Sequence, residues 1–155
     1  YAPKGQTPLL KTQAKRLSFN MISAITNQGT VRFMTYHETM RVKVLLKFFK
    51  RLINDAKRKV FMILDNIRVH HAHLVRDWLA LHRDEIEVYY LPSYSPEMNP
   101  DEYLNSDLKH RIRSAAPARN IKQLKHIVVG HMRKLQNHPE RVKSYCRHRD
   151  LAYAA

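Results

Sequence analysis

Two carboxylates stand where this chain could do chemistry. Asp65 follows Val60-Phe61-Met62-Ile63-Leu64, five apolar residues without alternation, which predicts a strand covered on both faces in a parallel or mixed α/β sheet. Ligands gather at the carboxyl end of such a strand, because the loops there are open and helix starts face inward. Asp65 is therefore either a functional carboxylate or a polar residue that ends the strand in a turn. Glu102 closes the segment Leu91-Pro-Ser-Tyr-Ser-Pro-Glu-Met-Asn-Pro-Asp-Glu102, whose three prolines fix the backbone. With Asn99 as N-cap and Pro100 as the first helical residue, Glu102 falls at the third helical position, where a carboxylate can cap the helix or bind a metal ion. Doing both fully would require its oxygens to be shared. Lys109 lies seven residues beyond Glu102, two helical turns on, and projects from nearly the same face. There it could hold a phosphate beside a metal site, or simply be a solvated lysine.

Other reactive side chains carry less. His70, His71 and His73 start a helical stretch, but no matching ligand pair at zinc spacing accompanies them, and histidines at a helix start commonly face solvent or phosphate. Cys146 is the only cysteine, which excludes an internal disulfide framework and a multi-thiolate zinc site. It reads as a small, at least half-buried side chain. Trp78 falls on an apolar stripe and reads as core, and the tyrosines are too scattered to form a base-stacking platform.

The elements that must position these residues follow from periodicity. Residues 1–8 carry two prolines and a glycine and predict an extended lead-in. Leu17–Ile25 and Thr30–Tyr36 lean towards strand and are separated by Thr-Asn-Gln-Gly, which predicts an antiparallel hairpin with Gly29 at positive φ. Val42, Leu45, Phe48 or Phe49, and Leu52 recur at helical spacing with Lys43, Lys47, Lys50 and Arg51 between them, an amphipathic helix with a basic outer face. After the Asp65 strand, Leu74, Val75, Trp78, Leu79 and Leu81 predict a second helix, Glu87–Leu91 a strand, and Leu104, Leu108 and Ile112 a third helix. Asn120, with Gln123 at the third helical position, opens a fourth, and Pro139 a short last one. No repeat or long linker divides the chain, so residues 1–155 are expected to form one unit.

Composition bounds the partner. Lys and Arg number 28 against 13 acids, a formal charge of +15 that costs self-repulsion unless a polyanion neutralises it, which points to nucleic acid. No stretch approaches the roughly 18 apolar residues of a membrane-spanning helix and nothing reads as a signal peptide, so a soluble, cytoplasmic protein is expected.

Leu64-Asp65-Asn66 with His70, and Leu-Pro-Ser-Tyr-Ser-Pro-Glu-Met-Asn-Pro-Asp-Glu102, resemble the second and third acidic motifs of the mariner-related bacterial insertion-sequence transposases of the DDE superfamily. The 36 residues between Asp65 and Glu102 match the mid-thirties spacing that this resemblance leads one to expect. Ala2–Pro8 resembles the segment just after the family's first acidic strand, and Arg141–Ala155 its carboxyl-terminal tail. The resemblance implies an α/β, RNase H-like fold, a mixed sheet with flanking helices, acting in metal-dependent DNA cleavage and strand transfer. Carried over residue by residue, Asp65 is the second acid and Glu102 the third, the two holding Mg²⁺ or Mn²⁺ in a two-metal site, since hard cations take oxygen ligands. Asn66 and Asn99 are supporting residues, Asn99 fixing the helix start, while Lys109 and His70 contact DNA. Asp101 is only the neighbour of Glu102 in the Asn-Pro-x-Glu pattern.

The departure from the pattern is at the front. Before Asp65 the only acids are Glu38 and Asp55, near the start and the end of a helix, and neither lies on a strand that could carry the first motif. The strand expected to bear that aspartate, central in the fold, is missing, so the chain is expected to be a fragment, inactive alone. Expected partners are the DNA of element ends and target, together with an upstream fragment or a second copy. No helix-turn-helix module is evident, which assigns end recognition to an absent upstream region. A non-catalytic, basic DNA-binding remnant is the alternative. A structural RNA-binding protein would explain the basicity but not the acidic motifs.

Overall fold

The computed structural model describes residues 17–37, 39–93, 95–147 and 151. The extended lead-in expected at residues 1–8 and the position of Glu38 lie outside the described residues, as do residues 148–150 and 152–155 of the expected tail. Chain order follows the predicted sequence of elements: β1 (Asn20–Ile25), β2 (Val31–Tyr36), α1 (Val42–Ala56), β3 (Val60–Leu64), α2 (His73–Leu81), β4 (Ile86–Tyr90), α3 (Asp101–Ser114), α4 (Ile121–Gln136) and α5 (Pro139–Tyr145). Short 3-10 turns, Arg68–His71 and Pro96–Met98, precede α2 and α3. This is the mixed α/β architecture expected of part of an RNase H-like fold.

β1 and β2 pair antiparallel with Ser23 opposite Phe33. Their turn closes through Gly29, whose φ of 88° is open to glycine at little cost. A side chain there would also meet Pro139, because its Cβ would lie 2.4 Å from the Pro139 carbonyl oxygen at the start of α5. β3 and β4 pair parallel, Val60 opposite Ile86 and Leu64 opposite Tyr90, with α2 as their crossover.

Among the described residues these are two separate two-stranded sheets. Between them lies a cavity of about 500 Å³. Met21 to Ile25 of β1 and Phe61 to Leu64 of β3 line it, consecutive residues rather than alternate ones. Side chains of a strand alternate between faces, so an unbroken lining means that both strands turn a backbone edge to the cavity. The expected break in the sheet therefore falls between β1 and β3.

Two apolar clusters hold the parts together. Val31, Leu104, Leu108, Val128, Met132, Leu135, Val142 and Tyr145 join the hairpin to α3, α4 and α5. Met34, Leu45, Phe48, Phe49, Leu52, Leu64, Val75 and Ile86 join β2, β3 and β4 to α1 and α2. α1 buries the predicted stripe and leaves Lys43, Lys47, Lys50 and Arg51 exposed. Asn120 caps α4 by accepting from the Gln123 amide at 2.9 Å, while the Gln123 side chain accepts from the Arg119 amide at 2.7 Å. Trp78 stacks on His82 and lies 5.9 Å from the Phe49 ring, packed against the second cluster as expected of a core residue, and Cys146 is buried.

β3 departs from expectation in one respect. Its Val60, Met62 and Leu64 pack inward, but Phe61 is 64% and Ile63 45% exposed, so the strand is covered on one face only. The reason is the split sheet: α3, α4 and α5 pack on the hairpin and do not reach across the gap to cover the outer face of β3.

Candidate metal and DNA-processing site

Asp65 leaves β3 at its carboxyl end with its side chain half exposed. Its orientation is set by His70 in the following 3-10 turn. The His70 Nδ1 lies 2.8 Å from the Asp65 carbonyl oxygen and 3.0 Å from its Oδ1. Both neighbours are acceptors, so Nδ1 carries the proton and donates to them. His70 is buried, 5% exposed, and thus turned inward rather than towards solvent as its place at a helix start suggests. The Tyr90 hydroxyl at the end of β4 donates to the His70 carbonyl at 3.2 Å, which ties the turn to the neighbouring strand.

Asn66 extends the same framework. Its amide nitrogen donates to Ser93 Oγ at 3.0 Å, and its Oδ1 pairs with the His71 ring, which lies against Tyr90. The β3 and β4 ends are therefore held by hydrogen bonds through side chains from both loops.

Glu102 arrives on α3. Asn99 Oδ1 accepts from the Asp101 amide at 3.0 Å, so Asn99 caps the helix as predicted, with Pro100 already in helical conformation. Glu102 sits in the first turn and is exposed. Among the described residues its carboxylate has no hydrogen-bond or ion-pair partner, so no capping role occupies it. Asp65, Asn66, Ser93, Asn99 and Glu102 line one open cavity of about 420 Å³. Lys109, on the same helix, is exposed and lies roughly 10 Å further along the axis at 1.5 Å per residue.

Asp101 was not singled out by sequence as more than a neighbour, yet it lies in the wall of the cavity between β1 and β3. Both of its carboxylate oxygens lie 2.9 Å from the Ser23 hydroxyl. Burial pushes its carboxyl up to about 6; the Ser23 bond pulls the other way, and the charges of Glu102 and Asp65 push further up. Asp65 lines both cavities, the first with Asp101 and the second with Glu102. The only sequence signal for Asp101 was its position next to Glu102, since no pattern links it to Ser23 78 residues away.

The sequence model of the family described as DDE superfamily endonuclease matches residues 1–125. The chain belongs to that family. No curated protein matches it. The matched region holds β1 to α3 and with them Asp65, Asn66, His70, Asn99, Glu102 and Lys109, whereas the tail resemblance at residues 141–155 falls beyond it. DDE endonucleases act on DNA with divalent metals. The donor types here fit such a cation, since Asp65 and Glu102 offer hard oxygen ligands on an open cavity. Their number falls short: among the described residues no group of three or more His, Cys, Asp or Glu side chains could hold a metal ion. None of the helices among them is long and apolar enough to cross a membrane.

Proposed function

We propose that this chain is the catalytic part of a transposase of the bacterial insertion-sequence branch related to mariner elements. It cleaves and joins DNA strands once a third carboxylate completes its site. The observation that carries the reading is that Asp65 and Glu102, with 36 residues between them in sequence, open onto one cavity from different elements. The gap between β1 and β3 supports the second half, because among the described residues it has two unpaired strand edges, and it adjoins Asp65 at one end. An extended segment filling it would supply both sheet pairing and an acid near Asp65.

Asp65 and Glu102 would hold Mg²⁺ or Mn²⁺, which when bound activates the attacking oxygen and stabilises the leaving one. The chain's own residues do the rest. His70 fixes the Asp65 carboxylate, Asn66 and Ser93 brace the loop beside it, and Lys109 holds a backbone phosphate along α3. The +15 charge draws the duplex in and makes binding fall with salt. The reading places the chain in the cytoplasm, as one 155-residue unit, with the upstream part of the transposase or a second copy as its partner.

The test is to mix the chain with a polypeptide carrying the upstream acidic strand and measure nicking of element-end duplex. Mg²⁺-dependent nicking is expected, and Asp65→Asn or Glu102→Gln should reduce it by more than the roughly 10–100-fold typical of losing an outer partner of a metal ligand. An absence of nicking with both partners folded would overturn the reading. The same high charge and the short ligand count favour a second reading, a basic DNA-binding remnant. In that case electrophoretic binding should weaken steeply with salt and ignore both Asp65→Ala and Glu102→Ala.

A further inference from the structure

The start of α3 must aim Glu102 at Asp65, and among the described residues Glu102 itself has no hydrogen bond or ion pair that would hold it there. What is fixed is its neighbour. Asp101 is tied to the middle of β1 by the Ser23 hydroxyl, 2.9 Å from each carboxylate oxygen. Ser23 shares a strand face with Met21 and Ile25, which pack against the cluster formed with α3, α4 and α5. It therefore projects from a face already anchored in the body of the protein.

Consecutive residues on a helix point about 100° apart. With Asp101 held against β1, in the wall of one cavity, Glu102 is turned into the other, where Asp65, Asn66 and Ser93 stand. The first turn of α3 needs such a hold. Its amides bond back three residues rather than four, Glu102 to Asn99 at 3.0 Å and Tyr103 to Pro100 at 3.2 Å, and the fully buried anchor Leu104 lies further on. Short terminal turns of this kind wind and unwind easily. Burying a carboxylate against one hydroxyl is also a poor way to gain stability, because an apolar pair of similar shape would avoid the desolvation cost.

We propose that Ser23 is a positioning residue for the metal site, acting through Asp101 to set the rotation of the first turn of α3 and so the aim of Glu102. The proposal rests on the reading that Asp65 and Glu102 bind a divalent cation together, and the experiment separates the two. Ser23→Ala, Ser23→Thr and Asp65→Asn are made in the full chain. Amide hydrogen exchange is followed along α3, and Mn²⁺ affinity is measured by the free-ion electron paramagnetic resonance signal. In Ser23→Ala the amides of residues 102 and 103 should exchange at least about 10-fold faster, while those from Leu104 to Leu108 keep their protection. Mn²⁺ affinity should fall about 10–100-fold, the usual effect of losing an outer support. Ser23→Thr, which keeps the hydroxyl, should restore both. Unchanged exchange in Ser23→Ala overturns the lock whatever the metal does. Unchanged Mn²⁺ affinity in Ser23→Ala, with binding lost in Asp65→Asn, overturns its role in the metal site and leaves the site standing. Mn²⁺ affinity unchanged in Asp65→Asn overturns the two-carboxylate reading and the metal role of Ser23 with it.

Discussion

The β1–β2 hairpin has helices against both faces, α1 on one and α3, α4 and α5 on the other, whereas β3 and β4 are covered by α1 and α2 on one face and leave Phe61 and Ile63 exposed on the other. The acids divide between the two regions: Asp65 ends a strand of the open one, and Glu102 starts a helix of the closed one. The difference teaches where stability and chemistry separate. The closed region holds its shape by packing on two sides. The open region carries Asp65, one of the two proposed metal ligands, at the end of a strand that among the described residues has one face and one edge uncovered. Phe61 and Ile63 are 64% and 45% exposed, so covering them could recover at most about half of the roughly 1.5–3 kcal/mol that full burial of such a side chain contributes.

Substitutions can sharpen or break that contrast, and the largest effect should come from the closed core. Leu104→Ala removes a side chain with no solvent exposure and should cost about 2–5 kcal/mol in denaturant unfolding. A cost near zero would mean that this core is not packed as described.

Gly29→Ala should come next, at about 1–3 kcal/mol, because it forces a side chain into positive φ and against the Pro139 carbonyl. Denaturant unfolding checks it, and a cost near zero would mean that the hairpin tip does not lean on that helix.

The closed region should also be the acid-sensitive one. Burial alone would raise the Asp107 carboxyl, but hydrogen bonds from Tyr145 and Arg141 and the charges of Arg141 and His131 outweigh it and hold it below its ordinary 3.8. Burial lowers His131 below its ordinary 6.5, against the pull of Asp107. Both groups have depressed folded values, so the stability each contributes is present above its unfolded value and lost as pH falls through its folded value. Charging of His131 should lower the melting temperature below about 6.5, while Asp101, raised to about 6, adds stability as pH falls towards its ordinary 3.8, so the His131 loss is read in Asp101→Asn, and a further fall follows below about 3.8 as Asp107 loses its bonds. Asp107→Asn should abolish the lower step and enlarge the upper one, because His131 loses the charge that offsets its burial.

The smallest effect should be on the open face. Phe61→Ser should change the stability of the chain by less than about 0.5 kcal/mol, since its side chain is already mostly in water. The same variant should nevertheless weaken capture of an added strand, which a pull-down with the complementing polypeptide would reveal. A large loss of stability in Phe61→Ser would erase the distinction between the two regions.

Much of this was legible in the residues. The 3.6-residue stripe of α1, the Gly29 turn and the Asn99 and Asn120 caps are local rules, written within a few positions of one another, and they placed nearly every element to within a few residues. The spacing of the acidic motifs, read with the family resemblance, brought Asp65 and Glu102 to attention, and the lack of an acid-bearing strand before Asp65 led to the expected break in the sheet. Other features depended on contacts between distant segments. That Phe61 and Ile63 are left exposed could not be read from an apolar run, because the run looks the same whether the second layer reaches it or not. His70 turning inward to hold Asp65, and Ser23 meeting Asp101 across 78 residues, are likewise products of assembly. Local sequence fixes which backbone conformations and which faces are cheap, but burial and long-range hydrogen bonds exist only once the elements have packed. The aim of the carboxylates was therefore decided by the tertiary structure.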